Sequence, residues 1–292
     1  MHADAGFQVR RLDPIGIEIL NLDLERGMDD DLFERLHDLF LAHEVVLLRN
    51  QALSDEGFQR LGERFGVIVG HPLGKFSPPG YPDILISSNG VEDGKPIGIF
   101  DIGQFWHTDG SYLPTPYMYT LLYGVVIPHD TQGRALGDTM FLSATSAYEG
   151  LPSNLKEKLA GMHAVYSYDY QYQQRLAKNP SVLNSAQKKE DVRHAVFRAH
   201  PLTGKKALFV NEGYVTRIDE LAAEESAAVL KELFAHLSSD RYVYRHSWKK
   251  GDLIMWDNNS TQHNAVADYT RAQLRYMKRI TIKTSCRQLV TA

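Results

Sequence analysis

Gln104-Phe105-Trp106-His107-Thr108-Asp109-Gly110 sets an imidazole and a carboxylate two residues apart. On a strand, residues i and i+2 face the same side, so His107 and Asp109 are predicted to reach one metal ion from a single short strand. A second imidazole, His263, stands far downstream. Two histidines and one carboxylate on one face of an octahedron make the facial triad of non-haem Fe(II) oxygenases, which leaves the other positions open for chemistry. His-x-Asp alone is a common tripeptide, and most of the 12 histidines are expected to be ordinary polar residues. The weight of His107 and Asp109 therefore rests on what surrounds them.

The chain has 292 residues, 43% of them hydrophobic, enough to bury a large core as one domain spanning 1–292. Its net charge of −4 argues against a nucleic-acid partner. Cys286 is the only cysteine, which excludes a disulfide framework within the chain and a cysteine-based metal site. Neither a signal-type apolar stretch at the start nor a run of about 18 apolar residues is present, so a cytoplasmic protein without a membrane partner is expected.

Apolar spacing predicts strands near 7–10 and 15–20, a helix over 30–42 and a buried strand at 45–48. A second helix is expected from the N-cap Ser54 to about Phe65, closed by Gly66. Beyond residue 83 strands dominate, at 84–86, 117–123, 251–256 and 276–284, with helices at 143–151, 153–161 and 222–238. Residues 171–195 are polar and read as a lid or insertion. Tyr166, Tyr168, Tyr170 and Tyr172 alternate as on a strand or extended loop, which suits a packing stripe or a pocket wall. Strands interleaved with helices, without regular βαβ units or a Gly-rich phosphate loop, predict a mainly β fold with helical insertions: a β-sandwich or jelly-roll barrel.

The second informative block is Trp256-Asp257-Asn258-Asn259-Ser260-Thr261-Gln262-His263, followed by Arg275 and Arg279. With it the chain resembles the TauD/TfdA family of Fe(II)/2-oxoglutarate-dependent dioxygenases, and looks most like the taurine dioxygenases. The resemblance covers nearly the whole chain. Besides the two metal blocks it includes Gly137-Asp138-Thr139, with Leu136 where the family has a further Gly, and Leu208-Phe209-Val210-Asn211-Glu212-Gly213 with Thr216-Arg217-Ile218. It implies a double-stranded β-helix (jelly-roll) core and a homo-oligomer, dimer or tetramer. It implies that His107, Asp109 and His263 hold Fe(II), and that Thr139 and Arg275 grip the distal carboxylate of 2-oxoglutarate. It also implies that Arg279 meets an acidic group on the substrate, with His71 and Tyr214 beside it. The implied reaction consumes O2, releases succinate and CO2, and oxidises an unactivated C–H of a small anionic substrate.

Elementary chemistry agrees. Two neutral imidazoles and one carboxylate leave Fe(II) near +1 with three open positions, two for a bidentate 2-oxo acid and one for oxygen. Arginine is the natural carboxylate partner because its planar fork donates two parallel hydrogen bonds. Arg275 and Arg279 are four apart, so a strand would carry both on one face. Trp106 and Trp256 are expected to pack, and Asp257 and Asn258 to shape a turn. His163, His194, His200 and His246 are expected to be structural.

Where taurine dioxygenases carry a Tyr and an Asn near the substrate, Gly74 and Gly103 stand here, and Tyr214 replaces a pocket Phe. The anion anchor Arg279 is kept while the pocket walls change. That implies an acidic substrate of another size or shape than taurine: a sulfonate, an aryloxyalkanoate or a carboxylate. A zinc hydrolase or lyase uses the same three ligand types, but lacks a His-Glu-x-x-His helix here and leaves Thr139 and Arg275 without a role. A non-catalytic jelly-roll protein that binds a small acid predicts ligand binding without metal.

Overall fold

In the computed structural model, residues 7–70, 76–100, 103–178 and 189–290 are described. His71 and Gly74 lie outside the described residues, as does 179–188 within the expected lid.

The main sheet has eight strands. Its path runs Gln8–Arg11, Ile17–Leu20, Val45–Leu48, Leu253–Asp257, Tyr119–Val126, Tyr276–Ser285 and Gly66–Ile68, and Leu85–Ser88 also pairs with Tyr276–Ser285. Its pairs are antiparallel except Ile17–Leu20 with Val45–Leu48. A smaller sheet sets Thr139–Ser143 between Val243–His246 and Thr261–Ala265. Sheets packed this way, with helices outside, form the jelly-roll core that the strand-rich sequence predicts.

Side-chain alternation assigns each strand two faces. Tyr119, Leu121, Leu253, Met255 and Ile280 pack outward on Phe40, Phe58 and Phe65 of helices Asp30–His43 and Asp55–Phe65. Leu122, Ile254, Trp256 and Met277 face inward and pack with Phe141 of the smaller sheet. Each buried aromatic or aliphatic side chain contributes about 1.5–3 kcal/mol by leaving water. The helix starts follow the sequence. Asp29 accepts from the Leu32 amide at 2.8 Å, and Ser54 from the Gly57 amide at 2.9 Å, caps worth about 1 kcal/mol each.

A third cluster joins helices Ala144–Glu149, Ser153–Leu159 and Ala223–Leu237 to a three-stranded sheet of Val192–Ala195, His163–Tyr166 and Val215–Ile218. Here the expectation for the alternating tyrosines is corrected. Tyr166 ends a strand, while Tyr168, Tyr170 and Tyr172 lie in helix Tyr168–Lys178, so they share no strand face. Of the expected lid or insertion at 171–195, residues 171–178 are helix and 192–195 are strand. Among the described residues no helix is long and apolar enough to cross a membrane.

Candidate active site

His107 sits opposite His263 as an isolated antiparallel bridge, not in a strand, and Asp109 follows in a turn. The strand expected for His-Thr-Asp is therefore corrected: the two side chains converge through a bridge and a turn. The His107 amide donates to the His263 carbonyl at 3.1 Å and the His263 amide to the His107 carbonyl at 2.9 Å. A pair bonded in both directions puts both side chains on one side of the ladder, and the ring centroids are 4.1 Å apart.

Asp109 Oδ1 is 3.7 Å from His107 Nε2 and 3.8 Å from His263 Nε2. Among the described residues this trio is the one group of three side chains able to hold a metal ion, and all three are buried. The Phe105 carbonyl accepts from His107 Nδ1 at 2.8 Å, which leaves the Nε2 lone pair for a metal. Burial pushes both imidazoles toward the neutral form, His263 further with His107 beside it. Burial alone would raise the Asp109 carboxyl, but the Arg279 guanidinium beside it outweighs that and holds it well below the usual carboxylate range. Two neutral nitrogens and one ionised oxygen on one side are the donor set that suits a divalent ion of Fe(II) type.

Strand Tyr276–Ser285 carries Arg279, and Arg275 immediately precedes it. Arg275 is buried, donates from Nη2 to the Gly137 carbonyl at 3.4 Å and bonds to the Tyr269 hydroxyl. Its Nε is buried with no hydrogen-bond partner among the described residues. A buried guanidinium with an unspent donor is costly unless an acceptor arrives. A cleft lined by Ser88, Phe100, Gln104 and Tyr269 reaches Arg275. Thr139, two residues past Gly137, accepts from Trp248 Nε1 at 3.0 Å, so the hydroxyl keeps its proton for another acceptor.

Arg279 turns to the metal carboxylate: its Nη2 lies 2.5 Å from Asp109 Oδ2. Beside the triad runs an aromatic wall. Ring centroids step from His107 to Phe105 (4.7 Å), to Tyr214 (5.9 Å), to Tyr112 (4.9 Å) and to Tyr168 (4.8 Å). Tyr214 packs on Phe105, which packs on His107, and Phe105, Tyr112 and Tyr168 join this wall without a motif of their own. Of the alternating tyrosines, Tyr168 is the wall member and Tyr166 is a core residue that donates to the Phe209 carbonyl at 2.5 Å.

Asp257 and Asn258 shape a turn as expected, Asp257 accepting from the Asn259 amide through Oδ1 at 2.7 Å and from the Ser260 amide through its carbonyl at 3.3 Å, and both also make contacts beyond it. Asp257 pairs with buried His200 at 2.7 Å, and Asn258 bonds Thr120, which in turn bonds Asp109. Thr120 lies inside an apolar run and carries no motif, so only its strand register reveals it. His163, His194 and His246 bond to Glu220, to the Ser111 carbonyl and to Asp252.

Comparison with known proteins places this geometry. The family described as "Taurine catabolism dioxygenase TauD, TfdA family" matches residues 8–281. The chain is 30% identical to an alkylsulfatase of Acinetobacter baylyi, over 94% of this chain and 84% of that one. It is 29% identical to pentalenolactone F synthase of Streptomyces arenae, over 91% of each. The crystal structure of a taurine dioxygenase from Burkholderia xenovorans superposes with a TM-score of 0.78 at 26% identity, covering 95% of this chain and 89% of that one.

Proposed function

From the premise that this chain belongs to the TauD, TfdA family, we propose how its own residues serve an Fe(II)- and 2-oxoglutarate-dependent dioxygenase. The enzyme oxidises an unactivated C–H of a small anionic organic substrate, with release of succinate and CO2. His107, Asp109 and His263 hold the iron. The observation that carries this assignment is the convergence of two neutral imidazole Nε2 atoms and one ionised carboxylate oxygen in a buried pocket. Bound there, iron and 2-oxoglutarate supply the oxidising chemistry.

Arg275, with its unspent Nε, and Thr139, with its free hydroxyl proton, take the distal carboxylate of 2-oxoglutarate. Arg279 takes the anionic group of the substrate with the donors that Asp109 leaves, and His71 is assigned beside it from the family resemblance. The names of the relatives include an alkylsulfatase and a taurine dioxygenase, which supports a sulfate ester or sulfonate, with an aryloxyalkanoate or carboxylate in the same class. The Phe105–Tyr214–Tyr112–Tyr168 wall supports a substrate with an apolar body larger than that of taurine.

Arg275 and Arg279 disfavour the zinc hydrolase and the metal-free binding protein, since neither gives both cations work to do. We further propose one domain over 1–292, working in the cytoplasm as a homo-oligomer. The single cysteine and the family resemblance support this, and light scattering of the purified protein tests its oligomeric part.

The test is anaerobic addition of Fe(II) and then 2-oxoglutarate to the metal-free protein. A weak visible charge-transfer band is the expected result. Iron binding without the band removes Thr139 and Arg275 from their role, and no iron binding removes the triad.

A further inference from the structure

Asp109 Oδ2 is held by two donors. Arg279 Nη2 is one, at 2.5 Å, and Thr120 Oγ1 is the other, at 2.7 Å. Thr120 is fully buried on the inner face of strand Tyr119–Val126, opposite Trp256 and Thr281 in the sheet register. Its hydroxyl also accepts from Asn258 Nδ2 at 3.0 Å, and Asn258 Oδ1 accepts from Trp256 Nε1 at 3.0 Å. Asn258 is fully buried and Trp256 is 1% exposed.

The direction of this line is set at one end. An indole N–H can only donate. Trp256 therefore requires the oxygen of the Asn258 amide on its side, which points the NH2 at Thr120. With Thr120 Oγ1 accepting that bond, its single proton goes to Asp109 Oδ2. Each group is satisfied in one orientation, and in a buried network the reversed line would leave two N–H donors facing each other. Thr120 is also β-branched and closely packed, so its χ1 is stiff and the hydroxyl stays aimed.

We propose that Trp256, Asn258 and Thr120 form a positioning line that locks Asp109 as a one-oxygen metal ligand, with Thr120 as the positioning residue. The inference rests on the reading of this site as an iron centre. A carboxylate can bind metal through one oxygen or both. With Oδ2 held by Thr120 and Arg279, Oδ1 alone faces the two imidazoles. That keeps three protein ligands in three positions and preserves the others for co-substrate and oxygen.

The experiment uses Mn(II) alone for affinity and Co(II) alone for the visible ligand-field spectrum, with T120V and T120S. Thr120→Val keeps the shape and removes the hydroxyl, whereas Thr120→Ser keeps the hydroxyl. T120V is expected to bind Mn(II) about 10- to 100-fold more weakly, the usual effect of losing a partner of a metal ligand, and to alter the Co(II) bands. T120S is expected to restore both. Wild-type affinity and spectrum in folded T120V, or a T120S that is no better than T120V, overturns the proposal. Should T120V fail to fold, W256F carries the test. It leaves the Thr120–Asp109 contact atoms in place but frees the amide to flip, so a smaller loss in the same direction is expected and unchanged Mn(II) affinity overturns the line. Absence of Mn(II) binding by the unaltered protein overturns the iron-centre reading, and this inference with it.

Discussion

Arg279 and Asp109 form an ion pair at the metal pocket, Nη2 to Oδ2 at 2.5 Å, so the cation assigned to the substrate also touches a metal ligand. One guanidinium has five donors, and Thr281 Oγ1 accepts from its Nε at 3.4 Å. On the assignment proposed above, substrate binding and carboxylate orientation would be coupled through this single side chain. Arg279→Gln is expected to raise the half-saturating concentration of the anionic substrate at least ~10-fold, the scale of a lost charge-assisted hydrogen bond. Steady-state succinate release against substrate concentration measures it, and unchanged substrate dependence removes Arg279 as the anchor.

Asp109 is the sole carboxylate among the three candidate ligands. Asp109→Ala leaves two neutral imidazoles, and is expected to abolish Fe(II)-dependent succinate formation and stoichiometric Mn(II) binding. Metal titration followed by electron paramagnetic resonance measures the second. Retained turnover removes Asp109 from the ligand set.

Arg275 spends its charge in a buried place where a donor waits without an acceptor. Arg275→Lys keeps the charge and loses the fork, and is expected to weaken 2-oxoglutarate binding roughly 100-fold, about 3 kcal/mol, with Mn(II) affinity unchanged. Calorimetric titration of the Mn(II) protein with 2-oxoglutarate reads the difference. Equal affinity for the co-substrate would place its carboxylate elsewhere.

Gly137 holds φ +75, and a Cβ there would stand 2.8 Å from Arg275 Nε. Gly137→Ala is strained by about 1–2 kcal/mol from the left-handed backbone and pushes the guanidinium aside. A melting temperature lowered by a few degrees and a loss of 2-oxoglutarate affinity, without loss of Mn(II) affinity, are expected. A variant that matches the parent in co-substrate affinity shows that Arg275 tolerates displacement.

Glu44 is buried against Ser143 and Thr145, and burial raises its pKa from 4.5 to about 6. The folded protein therefore holds the proton more tightly than the unfolded chain. The stabilisation from that proton is full below about pH 4.5 and is lost as pH rises through about 6, a change of about 2 kcal/mol. Glu44→Gln lacks the titration, so its stability relative to the parent is expected to improve by about that amount between pH 4.5 and 7.5. Urea midpoints of both proteins across this range measure it, and a difference independent of pH refutes the raised value.

The local signals were plain in the chain. Capping residues and apolar spacing announced helices Asp30–His43 and Asp55–Phe65, because a helix is specified by contacts three and four residues apart. His107, Asp109 and His263 stood out because metal chemistry restricts residue types and the family blocks recur in order. Tyr168–Lys178 misled because period two in four tyrosines mimics a strand, whereas Tyr168, Tyr170 and Tyr172 lie in a helix. Local sequence also mistook the bridge and turn at His107 and Asp109 for a strand, since the partner of that bridge is His263.

The sequence by itself determined helices such as Asp30–His43 and Asp55–Phe65, which are written in capping residues and short-range spacing, and through its resemblance to a family it pointed to the jelly-roll core, the three candidate metal ligands and the pair of arginines. Tertiary structure alone decided what surrounds Asp109. Thr120 and Arg279 reach it from two neighbouring strands, Asn258 reaches Thr120 from the turn after strand Leu253–Asp257, and hydrogen-bond polarity passes from an indole through an amide and a hydroxyl to one carboxylate oxygen. Such a line depends on distances between residues up to 138 positions apart in the chain, which no local pattern encodes.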